Sequence, residues 1–155
     1  DLIRDSRELH SLCKKYNIVG LCCIQTSQTY DGELFLNLSM LSGAKSINEI
    51  LHGLYMMRVL YPQELDKNSP FYCHPFRRIK DEKTGKWKEE EVELNPNNHY
   101  RVLFISKSRD TLTAVDTQEA IIMSFNTFSG AFQERCMCRP VRKNINQQQN
   151  KFSKK

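Results

Sequence analysis

The sequence predicts an α/β fold in which helices flank a sheet that continues into a C-terminal antiparallel hairpin extension. The first supporting observation is an amphipathic helical pattern followed directly by a short, continuous apolar run, the arrangement of an α/β unit. The second is a pair of strand patterns near the C-terminus that only a turn separates, as in an antiparallel hairpin. The 155 residues fit one domain and can bury a core without disulfides.

Composition narrows the class of protein. Apolar residues make up 39% of the chain and charged residues 26%, which excludes a generally disordered or fibrous protein. No apolar run approaches the roughly 20 residues of a membrane span, and Asp1–Asp5 has none of the apolar character of a signal peptide. We therefore expect a cytoplasmic protein with six reduced cysteines and no membrane contact.

The net charge of +5 is concentrated at the C-terminus. Residues 139–155 carry six Lys or Arg side chains and no acid, which leaves a charge of −1 for the rest of the chain. We predict a folded domain over residues 1–138 and a basic, disordered tail over 139–155. Such a tail can bind the phosphate backbone of a nucleic acid; the alternative is a terminus that only keeps the protein soluble.

The first α/β unit is predicted at the N-terminus. A helix over Leu2–Tyr16 is indicated by apolar side chains at helical spacing, namely Leu9, Leu12, Cys13 and Tyr16. Asn17 ends this helix. The apolar run Ile18–Ile24 is too short for a helix and predicts a strand buried on both faces, in a parallel sheet, with Cys22 and Cys23 as buried thiols.

A second unit follows a polar loop over residues 25–37. A helix is predicted around Ile47–Leu51, with Gly53 as its left-handed cap, and a strand over Leu54–Tyr61. One continuous helix over Lys45–Tyr61 has the same periodicity, but Gly53 and the aromatic and branched residues after it favour the break.

Residues 62–99 form a long polar excursion, which we expect to be an insertion arm on the surface. Within it, the turn sequence Asp81–Gly85 predicts a hairpin between strands at Phe76–Lys80 and Trp87–Leu94. The arm would therefore carry its own pair of strands.

Three strand patterns follow the arm. Tyr100–Ser106 is a continuous run of branched and aromatic residues. Ala120–Phe125 and Ala131–Glu134 are separated by the turn sequence Asn126–Gly130, so they predict the antiparallel extension.

Polar residues with a chemical use stand at two predicted strand ends. Gln25 follows the first buried strand, and ligands bind α/β sheets outside the carboxyl ends of strands. Lys107 and Arg109 are two residues apart after Tyr100–Ser106, which places them on one face of an extended segment. Together they could form a fork for an anion such as phosphate. Ordinary surface side chains are the alternative for all three.

A zinc site is a further candidate. Cys73 and His74 could join Cys136 and Cys138, because thiolate and imidazole are ligands that Zn²⁺ prefers. The single residue between Cys136 and Cys138 differs from the spacing of common zinc motifs. We therefore favour buried, unligated thiols and no metal.

Taken in order along the chain, these features resemble the motor domain of DnaB-type replicative helicases. Residues 6–19, SRELHSLCKKYNIV, are similar to the helix and strand that follow the Walker B strand of that family. Gln25 stands where that strand ends in A-L-S-Q. The later matches also follow the family's order: Ser42-Gly43, the strand over Leu54–Tyr61, Lys107-x-Arg109, and residues 121–132 for the closing strand pair. The resemblance covers residues 3 to about 134, apart from 62–99.

The resemblance implies a fold and a set of roles. The chain would be the C-terminal half of a motor domain with a partial RecA-like sheet, in a hexameric ring that hydrolyses ATP with Mg²⁺ and translocates on single-stranded DNA in DNA replication. Gln25 would sense the γ-phosphate. Lys107 and Arg109 would enter the neighbouring subunit's site, with Arg109 as the arginine finger. DNA would contact a loop over residues 26–41 and its flanks, at Thr26, Ser27, Ser42 and Gly43.

The chain departs from that family in ways that limit its activity. It has no G-x-x-x-x-G-K-[ST] phosphate loop and no Walker B acid before the first helix, so most ATP and Mg²⁺ ligands would belong to a missing N-terminal half. The loop before Ser42 lacks the family's Arg and Glu, and Asp110-Thr111 replaces the residue-Gly pair after the finger. We expect no ATPase activity from the chain alone. The alternative is a non-catalytic module that binds nucleic acid or a protein partner through its basic tail or the 62–99 arm.

Overall fold

The described part of the chain contains a six-stranded antiparallel sheet, and a helix precedes it at the N-terminus of the chain. The computed structural model describes residues 2–24, 33–37, 40–41, 49–108 and 119–141. Its main elements are α1 (Leu2–Tyr16), β1 (Gly53–Val59), β2 (Pro75–Lys80), β3 (Trp87–Glu91), β4 (Tyr100–Ser108), β5 (Ala120–Phe125) and β6 (Phe132–Cys138). The strand order is β1-β4-β5-β6-β2-β3, and every neighbouring pair is antiparallel. The prediction of an α/β protein with an antiparallel extension is confirmed at this level.

Helix α1 has the predicted bounds. Asn17 ends it with a φ of 52°, a left-handed conformation that Asn tolerates better than most residues. The Ile18 amide then donates to the Cys13 carbonyl at 3.0 Å, which satisfies a carbonyl at the end of the helix. Lys14 and Lys15 lie in the last turn, where the helix dipole favours cations.

The prediction of a buried strand over Ile18–Ile24 is wrong. These residues have no regular secondary structure, and Val19 and Leu21 are 97% and 90% exposed. Cys22 and Cys23 are exposed as well, so they are not buried thiols. The reason is that no described strand lies beside this run, and an apolar segment becomes a buried strand only when neighbours pair with it and cover it.

The predicted break before β1 is confirmed, but the role assigned to Gly53 is wrong. Residues 49–50 are helical, and β1 begins at Gly53, which excludes one helix over Lys45–Tyr61. Gly53 is not among the glycines with positive φ, so it is the first strand residue and not a left-handed cap.

The 62–99 segment is part of the sheet rather than a separate arm. The predicted hairpin is present as β2 and β3. Pro75 pairs with Cys138 of β6, and Cys73 and Phe76 are fully buried, so the base of the hairpin belongs to the core. Only its outer part, from Arg77 onward, is exposed on both strands.

The C-terminal hairpin is confirmed. β5 and β6 pair across the turn Asn126–Gly130, where Gly130 has a φ of 67°. The Asn126 side chain accepts the backbone amides of Phe128 and Ser129, which fixes the turn. Arg139 and Pro140, predicted to begin the tail, belong to the folded part: Arg139 is half-buried, its amide donates to the Cys73 carbonyl at 2.8 Å, and Pro140 is buried, whereas 142–155 lie outside the described residues.

One face of the sheet forms the hydrophobic core. Cross-strand pairs such as Met56 with Phe104, and Val102 with Ile122, place buried side chains from four strands on this face. The segments 33–37 and 40–41 cover it with five buried apolar side chains, namely Leu34, Phe35, Leu36, Met40 and Leu41.

A buried ion pair fastens this cover to the sheet. Arg58 of β1 and Glu64 form a bidentate pair, with Nη1 to Oε2 at 2.6 Å and Nη2 to Oε1 at 2.7 Å, and the Glu64 side chain is fully buried. Arg58 Nε also donates to the Leu34 carbonyl at 2.9 Å. Glu64 accepts the Tyr61 amide at 3.0 Å. One guanidinium thus joins three separate segments of the chain.

The replacement Glu64→Gln is expected to lower the free energy of unfolding by about 3–5 kcal/mol, the cost of leaving one buried charge without its partner. Urea denaturation followed by circular dichroism measures this difference. Glu82→Gln is the matched control, because Glu82 is exposed and no ion pair holds it in the described part of the chain; it should change stability by less than about 0.5 kcal/mol. Equal effects of the two replacements would contradict the role given to Glu64.

Candidate functional site

Of the individual residues predicted to contact nucleotide or DNA, only Lys107, near the end of β4, lies in the part of the chain that the structure describes. Lys107 is half-buried in β4 and pairs with Leu54 of β1. A register shift between Leu54 and Tyr55 means that Ser106 has no partner in β1, because Tyr55 pairs with Ile105 and Leu54 with Lys107. This bulge turns Lys107 to the same face as buried Leu54, whereas Ile105 lies on the opposite face.

The bulge leaves a polar group unsatisfied. The Ser106 hydroxyl is buried and has no hydrogen-bond partner among the described residues. Buried polar groups usually have partners, and β-bulges are over-represented beside active sites, where they re-aim a side chain. The last residues of β4 therefore combine a re-aimed cation with an unpaired hydroxyl, which is chemistry suited to an anion.

The other predicted site residues lie outside the described residues. Arg109 follows the end of β4 directly, and Gln25 follows the last described residue of the 18–24 run. The predicted DNA contacts Thr26, Ser27, Ser42 and Gly43 also lie there. The structure therefore does not describe where they lie relative to Lys107, and the proposed set remains a prediction.

The described part of the predicted DNA-facing loop does not face outward. Residues 34–36 and 40–41 are buried in the core, and the ring of Phe35 meets that of Phe104 edge-on at 5.3 Å. Side chains that cover a core cannot also contact a DNA strand. For these residues the expectation from the resemblance is wrong, because their apolar side chains are buried and do not face the solvent.

The face of the sheet opposite the core carries an apolar surface that none of the described residues covers. We call it the open face and define it by Tyr55, Met57, Val59, Leu103, Ile105 and Ile121. Cross-strand pairs join these residues across β1, β4 and β5, and the side chains of Tyr55, Met57, Val59 and Ile105 are exposed. A sheet that is apolar on both faces is typical of a protein in which both faces are packed.

A second exposed apolar surface lies at the N-terminus. Leu12 and Tyr16 on α1 are exposed, as is most of the run Ile18–Ile24. The run starts by folding back on the helix, since a Cβ added to Gly20 would lie 2.7 Å from Cys13 Sγ. Helix α1 and the run therefore form one apolar surface, which we call the apolar ledge; the rings of His10 and His52, with centroids 5.9 Å apart, bring α1 near the start of β1. Contiguous exposed apolar surfaces mark sites of interaction with other macromolecules.

Three cysteines meet in the core without forming a metal site. Cys73, Cys136 and Cys138 are buried, free thiols. Burial raises the pKa of the Cys136 thiol to about 11, and a hydrogen bond with Cys73 together with burial raises the pKa of Cys138 as well. Among the described residues, which include His74, no group of three or more potential ligands is placed to hold a metal ion. The zinc alternative therefore has no geometric support.

No protein-family model, curated protein or solved structure matches the chain. The structure itself defines an α/β protein with a six-stranded antiparallel sheet, one covered face and one open face. In the part of the chain that the structure describes, no helix is long and apolar enough to cross a membrane.

Sequence reasoning missed the open face and the Arg58–Glu64 pair. In β1, Leu54 and Met56 alternate with Tyr55, Met57 and Val59, and a strand that is apolar on both sides does not reveal which side is covered. The pairing of Arg58 with Glu64 has no signature in sequence, because the two residues sit in different elements.

Thiol labelling of the native protein is expected to separate the cysteines into two classes. Cys22 and Cys23 should react readily with iodoacetamide at pH 8, whereas Cys73, Cys136 and Cys138 should be protected by burial and by the raised pKa values of Cys136 and Cys138. Mass spectrometry after tryptic digestion measures the extent at each site, with the urea-unfolded chain as the fully reactive control. Rapid labelling of Cys138 in the native protein would contradict the described core.

Proposed function

We propose that this chain is one part of an ATP-driven motor of the DnaB helicase type, which is completed by a second polypeptide segment that carries the phosphate loop. The single observation that carries the proposal is the open face together with the apolar ledge of α1 and residues 18–24. In the complete motor, this surface packs against the missing N-terminal half. The motor works as a hexameric ring, uses ATP and Mg²⁺, and translocates on single-stranded DNA.

The arrangement of strands is compatible with this proposal. β5 and β6 form the predicted antiparallel extension, and β4 and β1 continue the sheet from β5 with antiparallel pairing. The run Ile18–Ile24 is apolar and exposed, with no strand beside it among the described residues, so it offers a surface on which another polypeptide can pack. The RecA-like character of the sheet is part of the proposal.

The end of β4 supports the assignment of the nucleotide-sensing residues. The bulge at Ser106 re-aims Lys107, and Arg109 is two residues further on. In the proposed motor, Lys107 and Arg109 bind the phosphates held by the neighbouring subunit, and Arg109 stabilises the charge that develops on the transferred phosphoryl group. Gln25, which directly follows the run Ile18–Ile24, senses the γ-phosphate.

A non-catalytic interaction module is the second candidate, and the open face favours it as well. Such a module would use the same apolar surface to bind a protein partner and would have no need of Lys107, Arg109 or Gln25. Both candidate functions therefore use the same apolar surface, but only the motor binds a nucleotide. Reconstitution with a phosphate-loop segment distinguishes them.

Met57→Lys on the open face is expected to reduce self-association of the isolated chain and to leave the free energy of unfolding within about 0.5 kcal/mol, because Met57 is exposed in the chain. Light scattering after size-exclusion chromatography measures the first effect and urea denaturation the second. The neighbouring replacement Met56→Ala is the contrast: Met56 is buried, so its truncation should cost about 2–5 kcal/mol. Equal losses of stability would mean that the face is covered within the chain itself.

In the reconstituted motor, Arg109→Ala is expected to reduce ATP turnover by roughly 10³-fold or more, as arginine fingers do, and to change nucleotide affinity little. The coding sequence upstream of Asp1 is the first place to seek the phosphate-loop segment. Arg4→Ala, a change of an exposed cation on α1, is the matched control and should leave turnover unchanged. Unchanged turnover in Arg109→Ala would remove the finger assignment and leave the interaction module as the better candidate.

A further inference from the structure

We infer that the tip of the β2–β3 hairpin is a binding site for single-stranded nucleic acid, in which a base stacks on Trp87 and lysines around it hold the phosphates. The hairpin lies in residues 62–99, outside the segments that carry the helicase resemblance. The inference therefore goes beyond the proposed function, and it can be tested with the isolated chain.

Trp87 is exposed, although tryptophan side chains are usually largely buried. It is the single Trp of the chain, it begins β3, and its side chain is 68% exposed. No ring or cation contact engages it in the described part of the chain. A large, rigid aromatic surface of this kind can stack a base of any type, because every base has a π-face.

Lysines lie close to this tryptophan along the chain and across the hairpin. Lys80 pairs directly with Trp87, so the two side chains share a face. Lys86 and Lys88 flank Trp87 in sequence, with Lys88 on the opposite face because it pairs with Ile79, and Lys83 lies in the turn. No ion pair engages these four ammonium groups within the described residues. Residues 80–88 carry four lysines against Asp81 and Glu82, so the tip is cationic.

Three acids of the hairpin are held by other groups. Asp81 accepts the amides of Lys83 and Thr84 at 2.9 Å each, and these hydrogen bonds lower its pKa and shape the turn. Glu89 pairs with Arg139 at 2.6 Å, and Glu91 pairs with Lys67 at 2.6 Å. Glu82 is exposed at the tip and has no ion pair among the described residues, but the four lysines still outnumber the acids there.

The same ion pairs make the hairpin a stiff platform. Arg78 and Arg139 both bind Glu89 and Glu119, which joins β2, β3, the start of β5 and the end of β6 in one network. The Arg139 guanidinium also lies 4.1 Å from the centre of the buried Phe76 ring. Arg77 donates to the Arg135 carbonyl at 3.0 Å on the other face. A platform that is held in place before binding loses less entropy when a strand docks.

Nucleic acid fits this tip better than a lipid surface does. A membrane-binding hairpin inserts several apolar side chains, whereas the residues from 80 to 88 contain Trp87 as their one large apolar side chain. One aromatic ring with lysines spaced around it is the pattern of a base-stacking site on a charged track.

The test is a titration of the full chain with oligo(dT) and with oligo(U), followed by the fluorescence of its single Trp. Quenching on binding is expected with at least one of the two, and their relative affinities identify DNA or RNA as the preferred strand. In anisotropy measurements with a labelled oligonucleotide, Trp87→Ala should weaken binding roughly 5- to 150-fold. Trp87→Phe should retain part of the affinity, and the double change Lys80→Gln and Lys86→Gln should flatten the salt dependence by about two charges.

Phe128→Ala is the matched control, because Phe128 is fully exposed at the tip of the other hairpin, and it should leave binding unchanged. Circular dichroism confirms that each variant is folded. The inference would be overturned if the oligonucleotide bound without quenching the fluorescence and Trp87→Ala bound it equally well. That result would indicate that the basic tail binds the nucleic acid, and it would leave the proposed motor unaffected. The inference would also be overturned if neither oligonucleotide bound. A third contrary result would be a blue shift of the Trp87 fluorescence that occurs only when anionic phosphatidylglycerol vesicles are added.

Discussion

The fold depends on the buried ion pair between Arg58 and Glu64. Both charges are withdrawn from water, and such a pair is tolerable only when its remaining hydrogen-bonding groups are also satisfied. Here the Leu34 carbonyl and the Tyr61 amide complete the arrangement, and the rings of Tyr61 and Phe104 lie within 6 Å of the guanidinium. The consequence is specificity: residues 33–37 can cover the core in one position only, the one that presents a carbonyl to Arg58.

This arrangement gives the sheet two unlike faces. The covered face contains the thiols, Val102 and Ile122, and it is closed by a segment that the resemblance had assigned to DNA. The open face is apolar and uncovered, and with the ledge of α1 it marks where another polypeptide would pack. The proposed motor and the alternative interaction module both follow from this asymmetry, and only the chemistry at the end of β4 favours the first.

Local patterns predicted the elements whose formation depends on nearby residues. The helix Leu2–Tyr16, its end at Asn17, both hairpins and the strands around Gly53 and Tyr100 follow from spacing, caps and turn residues. The predictions that were wrong depend on which other segments of the chain lie beside a residue in the fold. Ile18–Ile24 has the composition of a buried strand but no strand beside it, and Gly53 could be a cap or a strand residue until β4 pairs with it. For the candidate site, sequence placed Lys107 at the end of β4, but the bulge that turns it toward Leu54 depends on the register between two strands.

The order of the strands also determines when the sheet can form. β1 and the β2–β3 hairpin are made first, yet they lie toward opposite edges, and β4, β5 and β6 fill the space between them. Pro75 cannot form its strand pair until Cys138 has been synthesised, and Val59 cannot pair until Arg101 has been synthesised. Pairings this distant along the chain slow folding and prolong the exposure of unpaired strands. During synthesis on the ribosome, β1 therefore has no partner until β4 emerges, and the β2–β3 hairpin joins the sheet only when β6 has been made.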